Sequence, residues 1–487
     1  MATGQQRGVV FPGDGEGRRS TSATGRAVVA DALRPVDPTG ARAAEQETNW
    51  RSGYLTHFRR LVEAGLAAPD HAVDVARAGL DSLHDRMRVL DDGEERSMRE
   101  WPTGGDGIET FEIAGTRAPV TELVLPYRGQ RLRGDDLRRQ VDSWLKGGVV
   151  EPTVAEAVGL VLTNPDWLRL DGRSVAVLGA GAEMGPLPSL LRWGARAVAV
   201  DLPRPAIWQR LMQLARENAG TLVVPVAKGS DAEPVAAAGV DLLSQVPAVA
   251  DWLTAQPGAL VVGNYVYADG ADNVRVSAAV DELTLRVQAD RGDVALAFLA
   301  TPTDVFAVPG EAVAHSVDAY EHRTSRAKVL GRPLRALSGG RLLRRSYVPG
   351  ADPGINDSLV PQQGPNYALA KRLQRWRATL ARHDGAAVSM NVAPPTRTRS
   401  VVKNRALAAA YAGAHRFGVE VFEPSTSNVL MAALLVHDLH TGGGPRHEHP
   451  WQDDAYAAVH GGLWRTSYAP RSALGLAALL GYGAARG

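Results

Sequence analysis

The 487 residues carry 54 Lys and Arg against 53 Asp and Glu, a net charge of +1, and 45% of them are apolar. Such a composition is neither disordered nor fibrous, its length suits two or three domains, and its near-neutral balance excludes nucleic acid as the main partner. The chain has no cysteine, which excludes thiol nucleophiles, disulfides, iron–sulfur clusters and Cys-ligated zinc.

Only Lys146, Lys228, Lys328, Lys371 and Lys403 are lysines, and all other cationic side chains are arginines. With so much Ala and Gly, this usage reads as coding from a GC-rich, bacterial genome, so arginine density alone says little about anion binding. Residues 1–45 are rich in Gly, Arg, Ser, Thr and Pro without periodicity and are expected to form a mobile tail. No apolar signal core of about 7–15 residues follows Met1. The longest apolar stretch near the C-terminus, Val429 to Val436, falls far short of the ~20 residues of a membrane span. A cytoplasmic protein acting on a small molecule is expected, away from nucleic acid and membrane, with homo-oligomer formation left open.

Residues 46–170 read as a mainly helical cap domain. Tyr54, Phe58, Leu61 and Val62 recur at helical spacing, as do Val73, Ala76, Leu80 and Leu83. Short strands are expected at Thr110–Ile113 and Leu123–Leu125. Helices then return around Leu137, Val141 and Leu145, and around Val154, Ala157, Val158 and Val161.

From residue 171 the pattern changes. Apolar runs at Ser174–Leu178, Arg196–Asp201, Leu222–Val226, Ala259–Asn264, Val294–Ala300 and Ala387–Asn391 alternate with helical segments. The helices are placed at Met184–Trp193 and near 205–218, 241–255, 276–290 and 366–382. Continuous apolar strands alternating with helices indicate a parallel sheet covered on both faces. The fold class is therefore α/β: a doubly wound parallel Rossmann-like sheet over 171–440, with an N-terminal mainly helical extension. Residues 441–487 form a C-terminal extension with one apolar helix near 472–480.

The first run leads into Gly179-Ala-Gly-Ala-Glu-Met-Gly185 and then a helix. Glycines at such a turn let the backbone approach a pyrophosphate, and the helix start supplies N–H donors. Asp201 ends the second strand about twenty residues on, where a carboxylate accepts from ribose hydroxyls. Together these point to a dinucleotide site. Asp201 disfavours a 2′-phosphate, and Arg204 partly offsets it. Glu183 sits within the loop, so its carboxylate points away from a pyrophosphate or the nucleotide sits differently.

Tyr367 and Lys371 lie four apart at the start of a helix and share a face. An ammonium beside a phenol lowers the phenol's pKa, and a phenol so tuned exchanges a proton with a substrate oxygen. The strand and loop after it read Asn391-Val-Ala-Pro-Pro-Thr396.

Over about 174–400 these features resemble the short-chain dehydrogenase/reductase family. The likeness rests on the Gly-rich loop, on Tyr-x-x-x-Lys opening the fifth helix, and on the exit Asn391-Val-Ala-Pro-Pro-Thr396, which loosely matches the family's Asn-x-Val-x-Pro strand exit. The resemblance implies a seven-stranded doubly wound sheet, NAD or NADP as cofactor, and Tyr367 and Lys371 as the catalytic pair. The family's catalytic Ser has no counterpart at its usual spacing, so Ser358, Thr301 or Thr303 supplies the hydroxyl. Candidate cofactor residues are Gly179, Gly181, Glu183, Met184, Gly185, Asp201, Leu202, Asn264 and Thr396.

The arginines between 321 and 347, Arg323, Arg326, Arg332, Arg335, Arg341, Arg344 and Arg345, form either a solvated loop or a positive lid for an anionic, for instance carrier-bound, substrate. His437, His440, His447, His449 and His460 lack neighbouring carboxylates at metal spacing, and no metal site is expected. The reading is an NAD(P)-dependent oxidoreductase acting on a carbonyl or secondary alcohol. The alternatives are an S-adenosylmethionine-dependent transferase, although the first strand lacks that class's acidic residue, and a catalytically silent Rossmann-like scaffold, which Glu183 and the displaced hydroxyl favour.

Overall fold

The computed structural model describes residues 7–102, 104 and 107–483, without the side chains of Arg326 and Leu330. Its central sheet has seven strands: β1 (Ile108–Ala114), β2 (Arg173–Leu178), β3 (Arg196–Val200), β4 (Thr221–Ala227), β5 (Ala259–Asn264), β6 (Ala295–Ala300) and β7 (Val388–Val392). They lie in the order β7-β6-β5-β2-β3-β4-β1. The six strands from β2 to β7 are mutually parallel, and β1 pairs antiparallel with β4 at one edge. The parallel strands are Val-, Ala- and Leu-rich and buried on both faces, as helix-covered strands must be. Their order reverses between β2 and β5, the switch point at which doubly wound sheets open a crevice beyond their C-terminal ends. Strand β1 thus comes from the N-terminal region and runs against the others. Among the described residues, no further parallel strand extends the sheet beyond β7.

Each face carries its own apolar core. On one, helices Thr21–Leu33, Trp50–Gly65 and Pro69–Arg86 lie against helices Ala271–Asp290 and Gly364–His383. On the other, Gly134–Lys146, Pro152–Thr163, Pro205–Arg216 and Pro424–His440 cover the sheet. Trp193, Trp208 and Trp464 are wholly enclosed, and truncating any of them to Ala costs about 3–5 kcal/mol.

Several expectations are corrected here. Residues 1–6 lie outside the described residues, but 7–45 are folded rather than a mobile tail. Ser20 caps the Thr21–Leu33 helix through the amide of Ala23, and Asp37 caps Pro38–Glu45 through that of Gly40. Val28, Val29, Ala32 and Leu33 are fully buried, and that burial fixes a segment whose composition reads as loop. Residues 46–170 do not stand apart as a cap. Their helices divide between the two faces, and one of their strands joins the main sheet. The C-terminal 441–487 likewise folds back, with Trp464 against Phe306 at 5.3 Å. The helix after the Gly-rich loop runs only from Leu187 to Trp193, because Gly185 is still in the turn and Pro186 and Pro188 bracket the first helical residue. Among the described residues, no helix is long and apolar enough to cross a membrane.

Candidate functional site

The C-terminal ends of β2, β5 and β6 bring the Gly-rich loop, Asn264 and Thr301 to one edge of the sheet. The loop turns at Gly179, whose φ is +79°. A Cβ there would lie 2.9 Å from the carbonyl oxygen of Tyr265, so only glycine lets the exits of β2 and β5 approach so closely.

Asp201 builds the loop from below. Its Oδ2 accepts the Gly181 amide at 2.7 Å and its Oδ1 the Leu202 amide at 2.8 Å. The ribose-binding carboxylate expected from spacing is therefore first a loop anchor, with one lone pair on each oxygen already engaged. Arg210, which spacing did not single out, donates to the Gly181 carbonyl at 3.1 Å. The Glu183 carboxylate points outward, accepting the Arg399 amide at 2.8 Å and facing the Arg399 guanidinium at 3.2 Å. Met184 packs into the adjoining apolar core. The amides of Glu183 and Met184 have no partner among the described residues. Asn428 fastens the far end of the loop by donating to the Gly185 carbonyl and accepting from Ser189 at 2.9 Å.

At the other end, Tyr367 and Lys371 are half-buried on the Gly364–His383 helix. The Thr301 hydroxyl lies within electrostatic reach of the Tyr367 phenol, and Thr301 and Thr303 share a hydrogen bond of 2.9 Å. Burial raises the Tyr367 pKa above its ordinary value, against the lowering effect of Thr301, and Asp304 adds to the rise. Lys371 is not what sets it, so the expected lowering of the phenol by the ammonium is not met. Instead, burial without a facing carboxylate lowers the Lys371 pKa to about 8. Lys371 donates to Gln374 Oε1 at 3.1 Å, and Gln374 donates on to Asn264 Oδ1 at 3.4 Å. Tyr267 meets Tyr367 edge-on, with ring centroids 6.3 Å apart.

Of the three candidate hydroxyls, Thr301 is the one within electrostatic reach of the phenol. Ser358 is buried and donates to Asn356 Oδ1 at 2.5 Å. Thr396 is also diverted: it is buried, donating to the Pro394 carbonyl at 2.8 Å and sharing a bond with Ser427 at 2.7 Å. The strand-exit residue Asn391 donates to Asp438 at 2.8 Å inside the core.

What holds Thr301 against Tyr367 is a buried ion-pair cluster absent from the sequence reading. Asp304, three residues after Thr301, accepts from Arg372 at 2.8 Å and Arg375 at 2.7 Å, both on the Tyr367 helix. Burial opposes the Asp304 charge, yet the two guanidiniums keep its pKa below the ordinary value. Burial and Arg375 together lower Arg372 to about 10, which leaves it charged at neutral pH. Arg375 continues to Asp454 and lies 4.2 Å from the centroid of the Phe306 ring.

The arginine-rich segment is a surface helix, Ser325–Leu337, with flanking loops. Arg323 and Arg345 lie over the Tyr320 ring, and Arg335 donates to its hydroxyl at 2.8 Å. The Arg326 side chain lies outside the described residues. The C-terminal histidines bind separate partners, His440 the Trp167 carbonyl, His447 Asp453 and His460 Glu151.

Strand order and crossover pattern define a doubly wound α/β protein of Rossmann type. No family model matches the chain, and no curated protein matches its sequence. Among solved structures it is similar to an oxidoreductase of the short chain dehydrogenase/reductase family from Burkholderia thailandensis, at 15% identity and TM-score 0.31, covering 56% of this chain and 88% of that one. It is also similar to a thiolation-reductase di-domain from an archaeal non-ribosomal peptide synthetase, at 11% identity and TM-score 0.27, covering 54% of this chain and 52% of that one. A third is the terminal R domain from the myxalamid PKS-NRPS biosynthetic pathway, at 16% identity and TM-score 0.27, covering 54% of this chain and 62% of that one.

Proposed function

We propose that the chain is an NAD(P)-dependent reductase of a carbonyl group, with Tyr367 as proton donor. The observation that carries this reading is the half-buried phenol of Tyr367, with the Thr301 hydroxyl in electrostatic reach and the Lys371 ammonium one helical turn on, beside the C-terminal edge of the sheet. The residues suit a nicotinamide dinucleotide. Gly179 leaves no room for a Cβ, and among the described residues the amides of Glu183 and Met184 are unpaired and Lys371 has no counter-charge.

When bound, the reduced nicotinamide supplies a hydride to the carbonyl carbon. The chain's own residues handle the oxygen. A phenol held protonated by burial gives its proton to that oxygen and yields the alcohol. Thr301 stabilises the phenolate left behind, which regains a proton from solvent. Lys371 would offer its ammonium to ribose hydroxyls. The raised Tyr367 pKa favours reduction over oxidation, because an acid is needed for the first and a base for the second.

An S-adenosylmethionine site has no use for a phenol and ammonium so placed, and β2 offers it no acidic residue. Calorimetric titration with NAD⁺, NADP⁺, NADPH and S-adenosylmethionine tests the reading. Saturable binding of a nicotinamide nucleotide supports it. Binding of S-adenosylmethionine alone, or of none of the four at millimolar concentration, overturns it.

A further inference from the structure

A second polar cavity lies apart from the sheet edge. It encloses about 250 Å³ between the Trp50–Gly65 helix, the 344–346 segment, the strand Gly354–Asp357 and the start of the Pro470–Gly481 helix. Four arginines line it, Arg59, Arg344, Arg345 and Arg471, against one acidic residue, Asp357.

We propose that this cavity binds the phosphate group of a phosphate monoester, a role independent of the nicotinamide reading. The charges on its wall do not balance. Arg471 pairs with Asp357, Arg59 with Glu63 one turn along its own helix, and Arg345 with Glu321 on a neighbouring element. Arg344 has no carboxylate partner among the described residues. Burial lowers the Arg471 pKa, and Arg344 and Arg59 lower it further, so like charges crowd one another across the cavity. A dianion between them relieves that repulsion.

The backbone adds to the attraction. The twelve-residue Pro470–Gly481 helix starts at the cavity wall, no side chain caps it, and the Arg471 amide has no partner among the described residues. A helix N-terminus with forked guanidiniums on several sides matches a tetrahedral oxyanion better than a planar carboxylate. The occupant would also bear on the Tyr367 helix. Tyr54 lies within electrostatic reach of both Arg471 and Gly364, the residue that opens that helix.

The test is isothermal titration of the full chain with inorganic phosphate, sulfate and acetate at constant ionic strength. Saturable binding of phosphate and sulfate, with acetate at least about tenfold weaker, is expected. Arg344→Ala removes an exposed, unpaired side chain, so the fold survives, and phosphate should bind about tenfold more weakly or worse. Arg210→Ala, at the Gly-rich loop, should leave phosphate affinity unchanged. Absence of saturable phosphate binding, acetate binding as tightly as phosphate, or an affinity that falls with Arg210→Ala and not with Arg344→Ala would each overturn the proposal.

Discussion

At the Gly-rich loop the sheet edge is held by backbone. Asp201 takes two amides, Arg210 and Asn428 take two carbonyls, and Glu183 reaches across to Arg399 near the surface. At the Thr301–Tyr367 end the same edge is held by buried charge, with Asp304 between Arg372 and Arg375 and every member at most 5% exposed. The difference sets how each end fails. A loop held by hydrogen bonds to backbone is sensitive to added atoms and tolerates the loss of one bond. A buried ion cluster tolerates little loss of charge, because the partners left behind stay desolvated.

The largest effect should come from Asp304→Ala. It leaves Arg372 without a carboxylate inside the protein, and stability should fall by about 3–5 kcal/mol. Asp201→Ala removes two hydrogen bonds at a partly exposed loop and should cost only about 1–3 kcal/mol. Urea denaturation of the two variants checks the contrast, which fails if Asp201→Ala costs as much as Asp304→Ala.

Tyr367→Phe tests the chemistry at the charged end without disturbing its frame. The ring keeps its contact with Tyr267, and only the hydroxyl facing Thr301 is lost. Turnover should drop by a factor on the order of 10² or more, with nucleotide affinity and unfolding midpoint unchanged. Retention of half the wild-type rate would make Tyr367 a packing residue.

Gly181→Val addresses the backbone-built end. Its first added atom alone would lie 2.9 Å from Arg210 and 3.1 Å from Asp201, and valine brings two more. Nucleotide affinity should weaken by about tenfold or more, or some 1.4 kcal/mol, while the Thr301–Tyr367 pair stays intact. Calorimetric titration with the bound nucleotide measures it. An unchanged dissociation constant would move the nucleotide away from the loop.

The parts of this design that the sequence made legible share a physical cause. Strands buried on both faces must be continuous apolar runs, so β2 to β7 and the loop between β2 and its helix stand out. Tyr367 and Lys371 are visible because helical spacing places them on one face. The Asp304 cluster is not, since in an arginine-rich chain Arg372 and Arg375 look like solvated helix surface until tertiary packing encloses them. Choosing among Ser358, Thr301 and Thr303 needed the fold, because the 301–363 insertion separates these hydroxyls from the phenol by varying stretches of chain. The Thr21–Leu33 helix was masked by its Gly- and Arg-rich surroundings, although Ser20 and Asp37 are sound cap signals. Arg210 contacts Gly181 from 29 residues away, a proximity that no local pattern encodes.

The smallest expected effect is a pH limb, and it bears on whether the charged end works through charge at all. Lys371 has no facing carboxylate among the described residues, and burial brings its pKa from 10.5 down to about 8. If its ammonium meets the nucleotide, kcat/KM should be flat in this group below pH 8, halve near 8 and fall about tenfold per unit above it, since this ratio reports groups of the free enzyme. Lys371→Met should lower the plateau and abolish the limb. Unfolding is not an alternative cause. A lysine whose folded pKa is depressed binds fewer protons folded than unfolded between about pH 8 and 10.5, so its contribution to stability rises with pH across that window. Activity lost there while the unfolding midpoint holds steady assigns the limb to the ammonium. A profile unchanged in Lys371→Met would leave Lys371 as no more than a donor to Gln374.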